Sequence, residues 1–454
     1  MDKPESEREQ GGAFEQAAQR QSAALWRERQ ARLLELSAQD TLALVSAAPV
    51  QRRSADTHFP YRQDSAFFYL SGLREPECIL ALRRTGSGTE SVLFVPPKDA
   101  FKERWEGPML GVEGALETAR FDAVLPTEKL NPFLANWLLK APEVFLDLGR
   151  RDSANDNLWQ LALHGSTGRG GGGLRRISSL GYHLGVARRV KSASEIEALS
   201  RSADIAASAQ SAAMRLGRPG IWENELEASL LATYRTRGAE GPAYEPIVGG
   251  GVRATFLHYR ANNQRIEAGE LVLIDAGCEL DGYASDITRT FPVSGRFTQP
   301  QRDLYTCVLQ SQRAAFAACK PGATLEVVHQ AAVKVLAQGL IDLGVVKGSL
   351  GEVIESGLYR PYYMHQTSHW IGLDVHDPCP YRDEAGEAVK LEPGMVLTIE
   401  PGLYFGVDAT SPPAFSGIGI RIEDDVLVTA QGCYNLTSAV PSEINAIEAV
   451  CSES

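Results

Sequence analysis

From residue 21 to about 50, polar and apolar positions alternate at helical spacing and run out into TLALVSA, a strand-like segment. Over the next hundred residues apolar runs of strand length recur: AFFYLSGL, CILALRR, SVLFVPP and EVFLDLG. Helical patterns lie between them, and this alternation predicts an α/β domain over 21–180. Residues 1–20 are charged, contain glycine and hold almost no large apolar residue, so they read as a disordered polar tail. Near Val186 the texture changes. ARRVKSASEIEALSRSADIAASAQSAAMRL predicts a long helix with Ser194 as its N-cap, opening a second domain over 185–447. No internal repeat is visible in the sequence.

Three segments of the second domain concentrate polar residues inside apolar strands. In LVLIDAGCELDGYASDITRTFPV, two β-rich runs flank Asp281-Gly282, a two-residue hairpin signal. That turn sets Asp286 opposite Gly277, with Asp275 on the same face and diagonal to Asp286. A slip of one residue would separate the two carboxylates. In TIEPGLYF, Glu400 ends the apolar run MVLTIE. In GIGIRIEDDVLVT, Ile418, Ile420 and Ile422 face the core and put Arg421 and Glu423 together on the other face. Strands this apolar are usually central, so that face is not a solvated one. YMHQTSHWIGLDVHD holds three of the eight histidines, His365, His369 and His376. Its alternation predicts a strand with Ile371, Leu373 and Val375 on one side and Asp374 and His376 on the other.

One aspartate alone reads as a solvated strand carboxylate. Several on one apolar scaffold repel one another unless a cation or a shared proton neutralises them. Asp275, Asp286, His369, Glu400 and Glu423 form a set of four carboxylates and one imidazole. That set balances two divalent ions, and its oxygen-rich character favours Mn²⁺-like metals over a thiolate zinc site. Two such ions can make a nucleophile of water near neutral pH, which is hydrolytic chemistry.

Composition narrows the setting. The 454 residues exceed what one compact core needs, which agrees with two domains. A formal charge of −12 offers no generic attraction for a phosphate backbone, so nucleic acid is not an expected partner. No stretch reaches the roughly 20 apolar residues of a membrane span, and the polar MDKPESEREQGG has no signal core. The seven cysteines are scattered without zinc-ribbon or thioredoxin spacing and read as reduced thiols of a cytoplasmic protein. The glycine-rich Gly165–Gly173 segment lacks the Gly-Lys-Ser/Thr ending of a phosphate loop and reads as a flexible connection.

At these residues the chain resembles the pita-bread metallopeptidases, and among them the aminopeptidase P group. The order Asp, Asp, His, Glu, Glu matches, as do IDAG, SDITRTFPV, SHWIGLDVHD, TIEPGLY and RIEDD. The likeness extends into the first domain through DTHFPYRQDSAFFYLSGLREPE and LFVPPKDAFKERWEG. It implies a creatinase-like N-terminal α/β domain followed by a pita-bread α+β catalytic domain. It further implies release of the N-terminal residue from Xaa-Pro-Yaa peptides by a hydroxide bridging two divalent ions, Mn²⁺ first, with Co²⁺ or Zn²⁺ as substitutes.

By the same resemblance Asp286 and Glu423 bridge both metals, His369 and Glu400 complete one site, and Asp275 chelates the other. Glu400 also takes the proton of the attacking water. His258, in TFLHYRAN, and His376 are the histidines beside the scissile bond. His365 and Tyr404 help form the proline pocket, and Arg421 braces Asp275. Trp105, in KERWEGPML, would lie near the substrate-binding site of a neighbouring subunit in a homodimer or homotetramer; its alternative is packing inside its own domain. A prolidase restricted to Xaa-Pro dipeptides is the nearest rival, since Arg62 and Arg382 could hold a proline carboxylate. A catalytically dead binding module is a second, and it should have lost ligand carboxylates. All five are present.

Overall fold

The structure, a computed structural model, describes residues 23–35, 37–166, 173–408 and 411–453. The predicted polar tail over 1–20 and most of the glycine-rich segment lie outside the described residues. The chain divides into two compact units, one ending at Ala187 and the next beginning at Arg188.

The first unit is built on a six-stranded mixed sheet. Its elements include helix α1 (Ala23–Leu34), strand β1 (Leu42–Ser46), helix α2 (Ser65–Ser71), β2 (Ile79–Thr85), β3 (Gly88–Val95), helix α3 (Ala100–Glu106), β4 (Ala123–Pro126), helix α4 (Leu130–Leu138), β5 (Glu143–Leu146), helix α5 (Ser153–Ser166) and β6 (Arg176–Ser179). The strand order is β4-β3-β2-β1-β5-β6. Alternate residues such as Leu42, Leu44, Ile79, Ala81, Val92, Phe94 and Val144 meet Leu134, Trp137, Leu138 and Leu158 from α4 and α5 in one core. Three of the four predicted apolar runs are β2, β3 and β5. The fourth, AFFYLSGL, is helix α2. Local chemistry outweighs its β-rich composition here: the Asp64 side chain accepts the Phe67 N–H at 2.8 Å, and Gly72 closes the helix with φ of 65°.

The second unit opens with helix α6 (Ala193–Leu216). Its N-cap is Ser192 in a capping box with Glu195, two residues before the predicted Ser194. The reason is the reciprocal bond: Glu195 sits three residues after Ser192 and reaches back to it at 2.9 Å. Helix α7 (Glu223–Thr236) follows, then β7 (Ile247–Gly250), β8 (Leu271–Asp275), β9 (Cys278–Leu280), β10 (Tyr283–Ala284) and β11 (Thr288–Pro292). Two long helices come next, α8 (Gln299–Ala318) and α9 (Leu325–Asp342), before β12 (Val396–Ile399), β13 (Gly402–Tyr404), β14 (Gly419–Arg421), β15 (Asp424–Thr429) and β16 (Gly432–Asn435).

The strands form small sheets, β7-β8-β11, β12-β15-β16 and β13-β14 among them. A bridge between Thr288 and Glu423 joins the first to the later strands. Helices α6 to α9 pack on these strands through apolar residues such as Ala209, Met214, Leu230, Leu304 and Leu336. The hairpin register is the predicted one. Asp281 and Gly282 take φ of 53° and 82°, Leu280 pairs with Tyr283, and Asp275 with Thr288, which sets Gly277 opposite Asp286.

Gly277 is required by close approach rather than by its torsion angle. A Cβ there would overlap the Ser285 carbonyl oxygen and come within 3.1 Å of the Asp286 nitrogen. Backbone atoms cannot yield as a flexible side chain can. Gly277→Ala is therefore expected to open the hairpin and lower stability by about 1–3 kcal/mol, read as a lower urea midpoint. An unchanged midpoint would show that the strands tolerate the separation.

Candidate active site and metal centre

The polar residues of the second unit converge on one cavity of about 720 Å³. Among its lining residues are His258, Asp275, Asp286, His365, His369, His376, Glu400, Arg421 and Glu423. Each is aimed by the backbone that carries it. Asp275 ends β8, and Asp286 lies just before β11 in the same hairpin. Glu400 follows β12, and Glu423 separates β14 from β15. His369 is held against β12: its N–H reaches Thr398 Oγ1 at 3.1 Å, and the Thr398 N–H reaches its carbonyl at 2.9 Å.

Two buried glutamines secure the strand ends from behind. Gln210 of α6 donates to the carbonyls of Ile274 and Ile287, at 3.4 and 2.9 Å. Gln312 of α8 donates to those of Ile399 and Ile422, at 3.3 and 3.2 Å. Each carbonyl belongs to the residue next to one of the four acids. The two halves of the unit thus use the same device, a structural echo that the sequence does not display.

Asp286, His369 and Glu423 offer ligand atoms that all lie within 4.8 Å of one another. His369 Nε2 is 3.4 Å from Asp286, 3.7 Å from Glu400 and 4.0 Å from Glu423. Its Nδ1 lies 3.1 Å from the Trp370 carbonyl, so Nδ1–H donates there and Nε2 faces the acids. Arg421 donates to Asp275, to the Tyr404 hydroxyl at 2.9 Å and to Thr288 Oγ1 at 3.1 Å. Thr288 Oγ1 in turn donates to Glu423 at 2.6 Å. The Tyr404 hydroxyl therefore accepts a hydrogen bond from Arg421 and donates one to His365 Nε2, 2.9 Å away. His365 Nδ1–H donates to the Gln366 carbonyl at 2.8 Å, and burial pushes this imidazole down to about 3. It is a neutral wall, not a charged one.

The donor set fits divalent cations on two observations. Burial pushes the carboxyls of Glu400, to about 7, and of Asp286 and Glu423 upward, and their mutual repulsion adds to it. The Tyr244 hydroxyl, with one proton, lies against both Asp275, at 2.6 Å, and Asp286. It can donate to only one of them at a time, so the two carboxylates share a single hydroxyl proton. A cation among these oxygens would replace the missing protons.

Comparison with known proteins agrees with this geometry. The model of metallopeptidase family M24 matches residues 197–430. The chain belongs to metallopeptidase family M24. Within the M24 family it belongs to the aminopeptidase P group, since the aminopeptidase P N-terminal domain matches residues 26–145. The Xaa-Pro aminopeptidase of Escherichia coli K12 is 41% identical over 428 residues, which cover 93% of this chain and 96% of that protein. Human Xaa-Pro aminopeptidase 3 is 36% identical, covering 92% and 82%. The solved structure of Pseudomonas aeruginosa aminopeptidase PepP superposes with a TM-score of 0.90 at 38% identity, covering 95% of this chain and 98% of that one. The protein is a metalloaminopeptidase with the expected pairing of an aminopeptidase P N-terminal domain and an M24 pita-bread catalytic domain.

Some expectations for this M24 chain need correction. The segment after His369 is not a strand: residues 371–376 have no regular pairing, and Asp374 does not share the exposed side of His376. Arg188 binds Asp374 at 2.7 Å and draws it away. Trp105 does not pack within its domain. It is 76% exposed on α3, a helix with no buried residue, beside Phe101 at a ring separation of 6.3 Å. Among the described residues, those lining the cavity belong to the second unit. Arg382 is in that lining, whereas Arg62 belongs to the first unit. Pattern reading missed Tyr244, Thr288, the two glutamines and Asp425. Asp425 accepts the Asp286 N–H at 2.9 Å, and its other oxygen is buried without a partner. The second Asp of RIEDD was the one available signal.

These shifts set the pH dependence of the metal-free protein. Glu400 rises from the ordinary 4.5 to about 7 on folding, so its contribution to stability is lost as pH climbs between those values. His369 is lowered by burial, but the bond to Asp286 and the charges of Glu400 and Asp286 outweigh that and lift it from 6.5 to about 9. Its contribution is complete below 6.5 and lost toward 9, the same sign. Chelated protein should therefore melt at progressively lower temperature from about pH 5 to 9. Adding Mn²⁺ should raise the melting temperature most at the alkaline end. A flat or rising profile in calorimetry of the chelated protein would contradict these assignments.

Proposed function

We propose that this chain removes the N-terminal residue from peptides with proline in second position, using two divalent ions, preferentially Mn²⁺. The observation that carries the reading is the convergence of Asp275, Asp286, His369, Glu400 and Glu423 in one cavity, with three of the carboxyls displaced upward by burial and by one another. Asp286 and Glu423 would be shared between the ions, His369 and Glu400 would hold one, and Asp275 the other. Bound there, the ions supply an activated water at neutral pH and stabilise the developing oxyanion.

The chain's own residues supply the remainder. Glu400, in the cavity lining, accepts a proton at its carboxylate and can return it. Asp275, fixed by Arg421, receives the free α-amine, which limits removal to a single residue. A bond to proline has no amide N–H, so recognition must come from shape. His365 and Tyr404, neutral and locked to each other, form a flat wall for the proline ring. His258 and His376, both exposed in the cavity lining, hydrogen-bond the carbonyl oxygen or protonate the leaving proline nitrogen. Free cysteines at all seven positions suit a reducing cytoplasm.

The metal-loaded enzyme should cleave Xaa-Pro-Yaa at least as well as Xaa-Pro and leave proline-free peptides intact, measured as kcat/KM on matched peptides. Chelation should abolish the activity and Mn²⁺ restore it. Cleavage of the dipeptide with longer peptides untouched would make it a prolidase. Full activity in a metal-free sample would remove the metal reading altogether.

The exposed Trp105 and Phe101 on α3 form an apolar patch that a second copy of the chain would cover, giving a homodimer or homotetramer. Sedimentation at micromolar concentration should report an oligomer, and Trp105→Glu should dissociate it. A monomeric wild type overturns this.

A further inference from the structure

The segment that carries His376 is bridged to β12 at Trp370 and Leu397, but from Leu373 to Cys379 it has no regular secondary structure, so something other than a β-ladder must set its course there. That something is a buried ion cluster. Arg188, with 4% of its side chain exposed, places one terminal nitrogen against both Asp374, at 2.7 Å, and Asp377. Lys191 Nζ lies 3.1 Å from the other Asp377 oxygen, and each of these two side chains is 1% exposed. The Cys379 thiol donates to that same oxygen at 3.3 Å. Burial alone would push the Asp377 carboxyl up, and the two cations outweigh it and hold it below the usual range.

The backbone is folded around this carboxylate. The Asp377 N–H donates to the Trp370 carbonyl at 2.9 Å, and the Gly372 N–H to that of Asp374 at 3.0 Å. A Cβ on Gly372 would come within 2.7 Å of Asp377 Oδ2. The cationic side is anchored as well, since the Lys191 N–H donates to the Gly394 carbonyl at 2.8 Å. His376 thus stands between two carboxylates, two residues before and one after it, that a single guanidinium ties together. Its ring lies 4.4 Å from that of His369. Buried ion pairs are weak sources of net stability, and their better-attested use is to specify one geometry.

We propose that Arg188 is a positioning residue for His376, acting through Asp374 and Asp377 to hold the imidazole at the reacting bond. The proposal rests on the reading of His376 as a hydrogen-bonding or proton-donating group. Misplacement by about an ångström costs on the order of 10²-fold in rate, so Arg188→Met should lower kcat by about 10- to 100-fold. KM and bound metal should change little, and the His376 ring resonances should move in NMR spectra of the metal-loaded enzyme.

The deciding experiment is a double-mutant cycle on the full-length, metal-loaded enzyme with a tripeptide substrate, comparing Arg188→Met, His376→Ala and both together. If Arg188 acts through His376, the double variant is no slower than His376→Ala alone. Multiplying losses would mean that Arg188 serves general stability, and the proposal falls while the role of His376 stands. Full activity in His376→Ala would overturn the reading of His376 and the proposal with it. If Arg188→Met does not fold, Asp374→Asn takes its place in the cycle, because it leaves the pairs of Asp377 with Arg188 and Lys191 intact. The same two outcomes then decide.

Discussion

Bringing four carboxylates and an imidazole together in one cavity sets like charges against one another with little water between them, since Asp286 and Glu423 are buried. Like charges at that spacing repel, and burial strips the water that would screen them. Asp286, Glu400 and Glu423 are all displaced upward by burial and by one another's charge. Much of the surrounding architecture is intelligible as containment of that repulsion. Arg421 neutralises Asp275 and orients Tyr404, and Thr288 links that guanidinium to Glu423. Removing any one of these would leave a buried polar group without its partner, which costs more than the bond itself contributes.

Containment alone does not make a site; the acids must also be held at fixed positions. Here the strands and helices divide the work. Strand ends supply the carboxylates, two from the β8–β11 hairpin and two from the β12–β15 region. Gln210 and Gln312 pin the adjacent carbonyls from helices on the far side. Because a side-chain amide bonds two carbonyls at once, it fixes the spacing of two strands and therefore of two ligands. The same device, one helix glutamine on two strand carbonyls, appears in both halves of the M24 unit.

His369 and His365 show how one residue type is set to different tasks by its partners. Both bond a main-chain carbonyl through Nδ1, which fixes the tautomer. His369 then presents Nε2 to carboxylates and is lifted to about 9, whereas His365 presents Nε2 to a tyrosine hydroxyl and falls to about 3. One becomes a basic ligand and the other a neutral wall. Burial and the nearby Arg421 charge lower His365, whereas at His369 the bond to Asp286 and the charges of Glu400 and Asp286 outweigh burial.

Short-range chemistry was legible in the sequence. Asp281-Gly282 predicts a turn with both residues at positive φ, and period-two alternation then forces Asp275 and Asp286 onto one face. Apolar runs marked β2, β3, β5 and β12, and the order of the five candidate ligands marked the family. Where a window carried competing signals the reading failed: AFFYLSGL has strand composition but helix caps, and the alternation around His376 yields to the pull of Arg188. What only tertiary structure decided is the protonation and aim of the site. Asp275 meets Tyr244 across 31 residues and Arg421 across 146, and Asp286 leans on Asp425 across 139. Periodicity and turn propensity act over a few residues and leave their trace there. Burial, repulsion and shared protons arise between segments distant along the chain, and they exist only once the fold has brought those segments together.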